Sequence, residues 1–284
     1  MRYPSKLLLF GEYTVIQGGE ALAIPYPRFG GTWIRIAPED NPHLSKLVEF
    51  AGYLGDLKDI VFDTQALVRD LNNDFGFLSD IPTGYGLGSS GALCAAIYAN
   101  YALNKLDATA ENATELRLHF AAMENFFHGN SSGVDPLICY LRRPLYMKGR
   151  THYESISLPL ERPKLFLLDT QIERSAKPLI DYYTQASKED TAFQTMITTQ
   201  LLPAVHDVIG AYQSNQVATF ELAFRQISQL QRAYFQPMIP PAFRQLWDEG
   251  LESGDYMLKI CGAGGGGFIL AYGQVPSHYK TLAV

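Results

Sequence analysis

The chain is 284 residues long, 47% hydrophobic and 18% charged, with a formal net charge of −6; that length predicts about two domains with chain enough for a sizeable core. The negative balance argues against a nucleic-acid surface and an anionic-membrane surface, so neither class of partner is expected. An acidic protein that binds nucleotide must instead build a local positive site from helix ends, a lysine and metal.

From the N-terminus, residues 6–10 read as a short apolar strand opened by Lys6 and closed by Gly11 and Glu12. Residues 13–16, 21–24 (ended by Pro25) and the alternating 32–36 continue an opening β-meander. Helical patterns cover residues 44–54 and 64–71, Asn72, Asn73 and Asp74 mark a turn, and residues 75–78 lead into a glycine-rich stretch. That stretch, residues 82–92, holds Gly84, Gly86, Gly88 and Gly91 with Ser89 and Ser90, and runs into a small-residue segment, 93–103, that reads as a buried helix. A helix N-terminus carries unpaired N–H groups and partial positive charge, and glycines ahead of it let an anion approach the backbone. Two readings stand here: a phosphate cradle, or a flexible turn capped by Ser89 or Ser90.

A second helix capped by Asn112 or Thr114 is expected to run to about residue 127, with Leu116, Phe120, Met123 and Phe127 on its core face. Glu124 and His128 sit four apart and project from one side of its end. Each also fits a plain role, a solvated carboxylate for Glu124 and a helix C-terminal cation for His128. Pro136 then pushes Asp135 toward an extended conformation and places it as the N-cap of a new helix, a position that needs no catalytic duty. Residues 152–158 read as a strand, and the charged, proline-bearing 159–164 as the domain boundary. Beyond it come a strand at 165–169 and helices near 178–185, 192–212 (kinked or split at Pro203), 218–235 and 242–251. Gln231, Arg232 and Tyr234 are expected on the surface. Strands 256–261 and 268–272 flank Gly262, Gly264, Gly265, Gly266 and Gly267, whose entropic cost favours close passage of backbone over a bare turn. Cys94, Cys139 and Cys261 have no metal-ligand spacing and read as buried thiols in a reducing compartment. No apolar run is long enough to span a bilayer and no signal-peptide pattern opens the chain, so a cytoplasmic protein is expected.

Three stretches, 4–12, 82–92 and 259–267, together resemble the motifs of the GHMP kinases, the family named for galactokinase, homoserine kinase, mevalonate kinase and phosphomevalonate kinase. The resemblance implies an α+β fold in two domains, a ribosomal protein S5 domain 2-like half over 1–160 and a ferredoxin-like half over 161–284. Glu124, His128, Gly129 and the run Ser132, Gly133, Val134, Asp135 are most similar to mevalonate kinases. By that resemblance the chain would be an ATP-dependent kinase acting on a hydroxyl of mevalonate. Phosphomevalonate or a sugar is the alternative acceptor, and a non-catalytic nucleotide-binding regulator the alternative class. ATP and Mg²⁺ are the implied cofactors, a small-molecule alcohol the implied substrate, and a homodimer is allowed.

Carried over residue by residue, Asp135 would accept the substrate hydroxyl proton and Lys6 would stabilise the developing charge. Gly84, Gly86, Leu87, Gly88, Ser89, Ser90 and Gly91 would cradle the nucleotide phosphates, and Ser90 and Glu124 would hold Mg²⁺. Glu12, Tyr13, Gly264 and Gly265 would bind substrate. The chain departs from the mevalonate kinase pattern at Tyr13, where histidine is usual and phosphomevalonate kinases more often carry tyrosine. It departs also at Ser5 (usually Gly), Gly91 (Ala) and Pro136 (Asn).

Overall fold

The computed structural model describes residues 1–37, 39, 41, 43–149 and 152–284. Contacts group them into two compact units interleaved in sequence. One comprises Met1–Leu7, Ile24–Pro82 and Leu87–Pro144; the other comprises Leu8–Ala23, Thr83–Gly86 and Leu145–Val284. Strands β1 (Arg2–Phe10) and β2 (Glu20–Arg35) each contribute residues to both units. The two short strands expected at 21–24 and 32–36 are therefore one, and Pro25 does not end it. Pro25 and Pro27 are two apart, so their missing N–H groups fall on one edge of the strand, where a proline is tolerated. Residues 13–16, expected as part of the meander, instead enter a 3₁₀ turn at Thr14–Gln17.

In the first unit the far half of β2 pairs antiparallel with β3 (Phe75–Ser79), Trp33 opposite Phe77. Helices α1 (Leu44–Gly55) and α2 (Thr64–Leu71) lie where their periodicity predicts, and Asp63 caps α2 by accepting the Ala66 N–H at 2.8 Å. Helix α3 (Ser89–Tyr101) is apolar on every side, and Ala92, Cys94, Ala95, Ala96, Ile97 and Tyr98 are fully buried. Such a helix must run through a core, and α4 (Ala113–His128) and α5 (Val134–Leu141) pack against it. Leu116, Phe120 and Met123 face inward from α4 as predicted, while Phe127 is half-buried against Phe50, ring centroids 4.9 Å apart.

In the second unit the near half of β2 pairs with β4 (Leu145–Lys148), and β4 with β5 (His152–Ser155). In chain order there follow β6 (Leu165–Asp169), α6 (Ala176–Glu189), α7 (Thr191–Met196), α8 (Leu202–Gln213), α9 (Val217–Tyr234), α10 (Arg244–Ser253), β7 (Tyr256–Ile260), β8 (Phe268–Gly273) and β9 (Thr281–Ala283). The last four strands form an antiparallel sheet in the order β7-β8-β6-β9. Pro203 does split its helix: a π turn at Ile197–Leu201 separates α7 from α8, relieving the clash a proline ring makes with the carbonyl four residues earlier. Phe10, Tyr212, Phe220 and Phe224 form an aromatic core cluster with edge-to-face and tilted rings. The architecture is α+β. All three cysteines are buried and form no disulfide, and among the described residues no helix is long and apolar enough to cross a membrane.

Candidate active site

The glycine-rich stretch opens α3 with Gly88 as its N-cap, in the left-handed conformation at φ 74°. Neither Ser89 nor Ser90 caps the helix with its side chain, which corrects the capped-turn alternative. The first helical bond joins the Ala92 N–H to the Gly88 carbonyl at 2.9 Å, so the amides of Ser89, Ser90 and Gly91 precede it. These donors, with the positive end of the helix dipole, make an anion cradle. Leu87 is buried, and its carbonyl accepts the Lys6 N–H at 2.9 Å, tying the loop to β1. A Cβ on Gly88 would stand 2.9 Å from Lys6 Cγ and 3.4 Å from Asp135 Oδ2. Only glycine lets the loop pass this close to that pair.

Lys6 Nζ lies 3.0 Å from Asp135 Oδ2, the lysine side chain 12% exposed and the aspartate 34%. The cation is largely enclosed while the carboxylate remains reachable from solvent. Asp135 is not the extended N-cap expected of it. Gly133, at φ 73°, holds that position, and Asp135 is the second residue of α5. Pro136 is accommodated one position later because a first-turn residue has no helical acceptor for its N–H. Gly91 makes room for this arrangement: a Cβ there would sit 2.8 Å from the Pro136 nitrogen.

Glu124 is buried, and each of its oxygens has a serine. Ser90 Oγ donates to Oε1 at 2.9 Å, and Ser131 Oγ donates to Oε2 at 2.5 Å. His128 Nε2 lies 3.0 Å from Ser90 Oγ; with the serine proton given to Glu124, the imidazole is the donor. Glu124 is thus no solvated helix-face carboxylate. Burial, reinforced by the charge of Asp135, pushes its carboxyl up to about 7, against the pull of Ser131, Ser90 and Lys6. Between 4.5 and about 7 the folded chain therefore holds a proton that the unfolded chain releases, so stability falls as pH rises through that window. Urea unfolding of the metal-free protein should show this slope, and Glu124→Gln should remove it; an unchanged slope would assign it to another group.

Among the described residues no three His, Cys, Asp or Glu side chains gather at one point. The donors at Glu124 are carboxylate and hydroxyl oxygens only. That set fits Mg²⁺, which takes one or two protein oxygens when phosphates and water complete its shell.

Glu12, Tyr13, Gly264 and Gly265 belong to the second unit. Glu12 Oε1 accepts from Lys259 Nζ and, at 2.8 Å, from Gln231 Nε2, whose own Oε1 accepts the Ile260 N–H at 2.7 Å. Tyr13, at φ 67° and ψ −46°, is the centre of a γ-turn in which the Thr14 N–H reaches the Glu12 carbonyl at 2.8 Å. This is a rare and strained conformation. It is held by the Tyr13 hydroxyl, which donates to the Ala263 carbonyl at 2.6 Å, and by the ring, stacked on Tyr183 at 4.6 Å. Burial pushes the Tyr13 phenol well above its ordinary range, so it remains a donor.

The glycines of 262–267 do pass close to other backbone. The Gly265 N–H donates to the Met238 carbonyl at 2.6 Å and the Gly267 N–H to the Ile172 carbonyl at 2.7 Å. Arg174 Nη1 donates to the carbonyls of Cys261 and Gly264 at 2.8 and 3.2 Å, and Nη2 to that of Tyr85 at 3.4 Å, between Gly84 and Gly86.

Sequence reasoning missed Arg174, Gln231 and Ser131. Gln231, expected at the surface, is buried. Its signal was present, since Phe220, Phe224, Ile227 and Gln231 recur at helical spacing on one stripe of α9. Arg174 and Ser131 lie in loops, where no periodicity marks a buried face.

A glycine-rich turn opening a buried helix stands beside a lysine–aspartate pair and an oxygen-donor carboxylate, an arrangement that suits an anion at the helix start next to a group able to take a proton. Residues 61–143 match the family model described as GHMP kinases N terminal domain. That stretch of the chain is therefore similar to the N-terminal domain of the GHMP kinases. Solved structures with the same fold include L. major mevalonate kinase in complex with R-mevalonate, with TM-score 0.65 and 16% identity, covering 98% of this chain and 87% of that one. Streptococcus pneumoniae phosphomevalonate kinase in complex with phosphomevalonate and AMPPNP gives TM-score 0.65 and 15% identity, covering 100% and 99%. A Lin0012 protein from Listeria innocua gives TM-score 0.67 and 13% identity, covering 99% and 95%. No curated protein matches the chain in sequence.

Proposed function

We propose that the chain transfers the γ-phosphoryl group of ATP to a hydroxyl of mevalonate. The observation that carries this reading is the Lys6–Asp135 pair, 3.0 Å apart with its carboxylate reachable from solvent, set against Gly88 at the N-terminus of α3. Asp135 takes the proton of the acceptor hydroxyl as its oxygen bonds to phosphorus and the bond to the ADP oxygen breaks. Lys6 offsets the negative charge gathering at that oxygen. The amides that open α3 hold the nucleotide phosphates in line, where positioning supplies most of the rate. Glu124 and Ser90 would hold Mg²⁺, which when bound neutralises phosphate charge. In the second unit, Gly264 and Gly265 are read as substrate contacts through backbone, with Glu12 and Tyr13 shaping their loop. The reading places the protein in the cytoplasm, with ATP and a small alcohol as its partners.

Mevalonate is preferred because the segment from Glu124 to Asp135 is most similar to mevalonate kinases. Tyr13 favours a second reading, in which phosphomevalonate is the acceptor. ADP release against mevalonate, phosphomevalonate, galactose and homoserine decides between them. Mevalonate should give the highest kcat/KM, and sharply so, because a site built to hydrogen-bond a substrate group rejects analogues lacking it by about 10⁴ or more. A faster reaction with phosphomevalonate replaces the first reading with the second. No ADP above background from any of the four moves the chain to a nucleotide-binding regulator.

A further inference from the structure

Ser131 lies in the turn between α4 and α5, and its three polar bonds leave it little freedom. Its N–H donates to Asn125 Oδ1 at 2.7 Å, its Oγ accepts the Gly133 N–H at 3.0 Å, and the same Oγ donates to Glu124 Oε2 at 2.5 Å. We propose that Ser131 is a positioning residue of the phosphoryl-transfer site, fixing the plane of the Glu124 carboxylate so that its Oε1 side meets the metal together with Ser90. This rests on the kinase reading of the site. A carboxylate with one hydrogen-bonded oxygen rotates about its last side-chain torsion, which is broad; a second donor on the other oxygen stops it. Ser90 and Ser131 take one oxygen each, so removing Ser131 frees the rotation without touching Ser90.

The same hydroxyl reaches the helix that bears the base. Gly133 is the N-cap of α5 and stands two residues before Asp135. Ser131 therefore ties the carboxylate proposed to hold the metal to the start of the segment presenting the carboxylate proposed to take the proton. A purely structural role predicts something narrower. A serine–glycine turn needs the hydroxyl only as acceptor for the Gly133 N–H, and leaves the proton on Oγ uncommitted. The donation to Glu124 separates the two roles.

The test is direct binding of Mn²⁺·ATP, followed by Mn²⁺ electron paramagnetic resonance, to wild type, Ser131→Ala, Ser131→Thr and Ser131→Cys, with thermal unfolding of each. Loss of an outer partner of a metal ligand typically costs about 10–100-fold in metal affinity. Ser131→Ala should show a loss in that range, Ser131→Thr should stay near wild type, and Ser131→Cys, a weaker donor of similar size, should fall between them. Should Ser131→Ala fail to fold, the threonine and cysteine variants still order the series by donor strength. Wild-type affinity in Ser131→Ala, or equal loss in the alanine and threonine variants at equal thermal stability, overturns the proposal. Wild type that binds no Mn²⁺·ATP overturns the kinase reading itself, and this proposal with it.

Discussion

Asp135→Asn should lower kcat by about 10²–10⁴ while ATP affinity stays within a few-fold, because loss of a positioned general base costs about that much. Asparagine keeps the size of the side chain and can still accept a hydrogen bond from Lys6, so the geometry at the start of α5 is preserved. It loses the capacity to take a proton from the acceptor hydroxyl. The cost to the fold should be small. The Lys6–Asp135 pair is partly exposed on the aspartate side, which screens its Coulomb energy, and a first-turn carboxylate adds only about 0.3–1 kcal/mol through the helix dipole. Single-turnover rates and ATP titration separate the two effects. Wild-type turnover in Asp135→Asn removes this residue from the mechanism and returns it to a helix-end role.

Lys259→Met should be strongly destabilising, by about 3–5 kcal/mol. Methionine fills the space of the lysine stem, so packing is nearly conserved. The buried Glu12 carboxylate, however, loses its cation. Gln231 alone would remain on Oε1, and Oε2 has no hydrogen-bond partner among the described residues. A carboxylate in that position must either stay charged without compensation or take up a proton, and either course weakens the folded state. The strained turn at Tyr13 comes directly after Glu12, so the same change should loosen it. Urea unfolding measures the loss, and the pair Glu12→Gln with Lys259→Met supplies the control. Removing both charges should recover much of the stability, since a buried ion pair replaced as a unit is often neutral. A double variant no better than Lys259→Met would show that the pair is not what holds this turn.

Periodicity and punctuation alone placed α2, β6 and the core face of α4, because a helical stripe or an apolar run is a local signal. The three glycine-bearing motifs, read in order, carried the resemblance to the GHMP kinases, and with the separate segment from Glu124 to Asp135 they named Lys6, Ser90, Glu124 and Asp135 as one set. Their contacts were beyond sequence, since Lys6 and Asp135 are joined only when β1 and α5 meet across Gly88. Local rules also misplaced Asp135. A proline is expected to keep its predecessor extended, yet α5 begins before it, and Gly91 supplies the space that the proline ring needs. Pro25 likewise reads as a strand end but lies within β2, because what matters is which edge loses the donor. Ser131, Gln231 and Arg174 owe their importance to partners across the fold or across a turn: Glu124 for the first, Glu12 for the second, the Cys261 and Gly264 carbonyls for the third. Hydrogen bonds between residues far apart in the chain leave no period in the sequence, so a helical stripe can mark Gln231 as buried, but tertiary structure alone decides which carboxylate it meets.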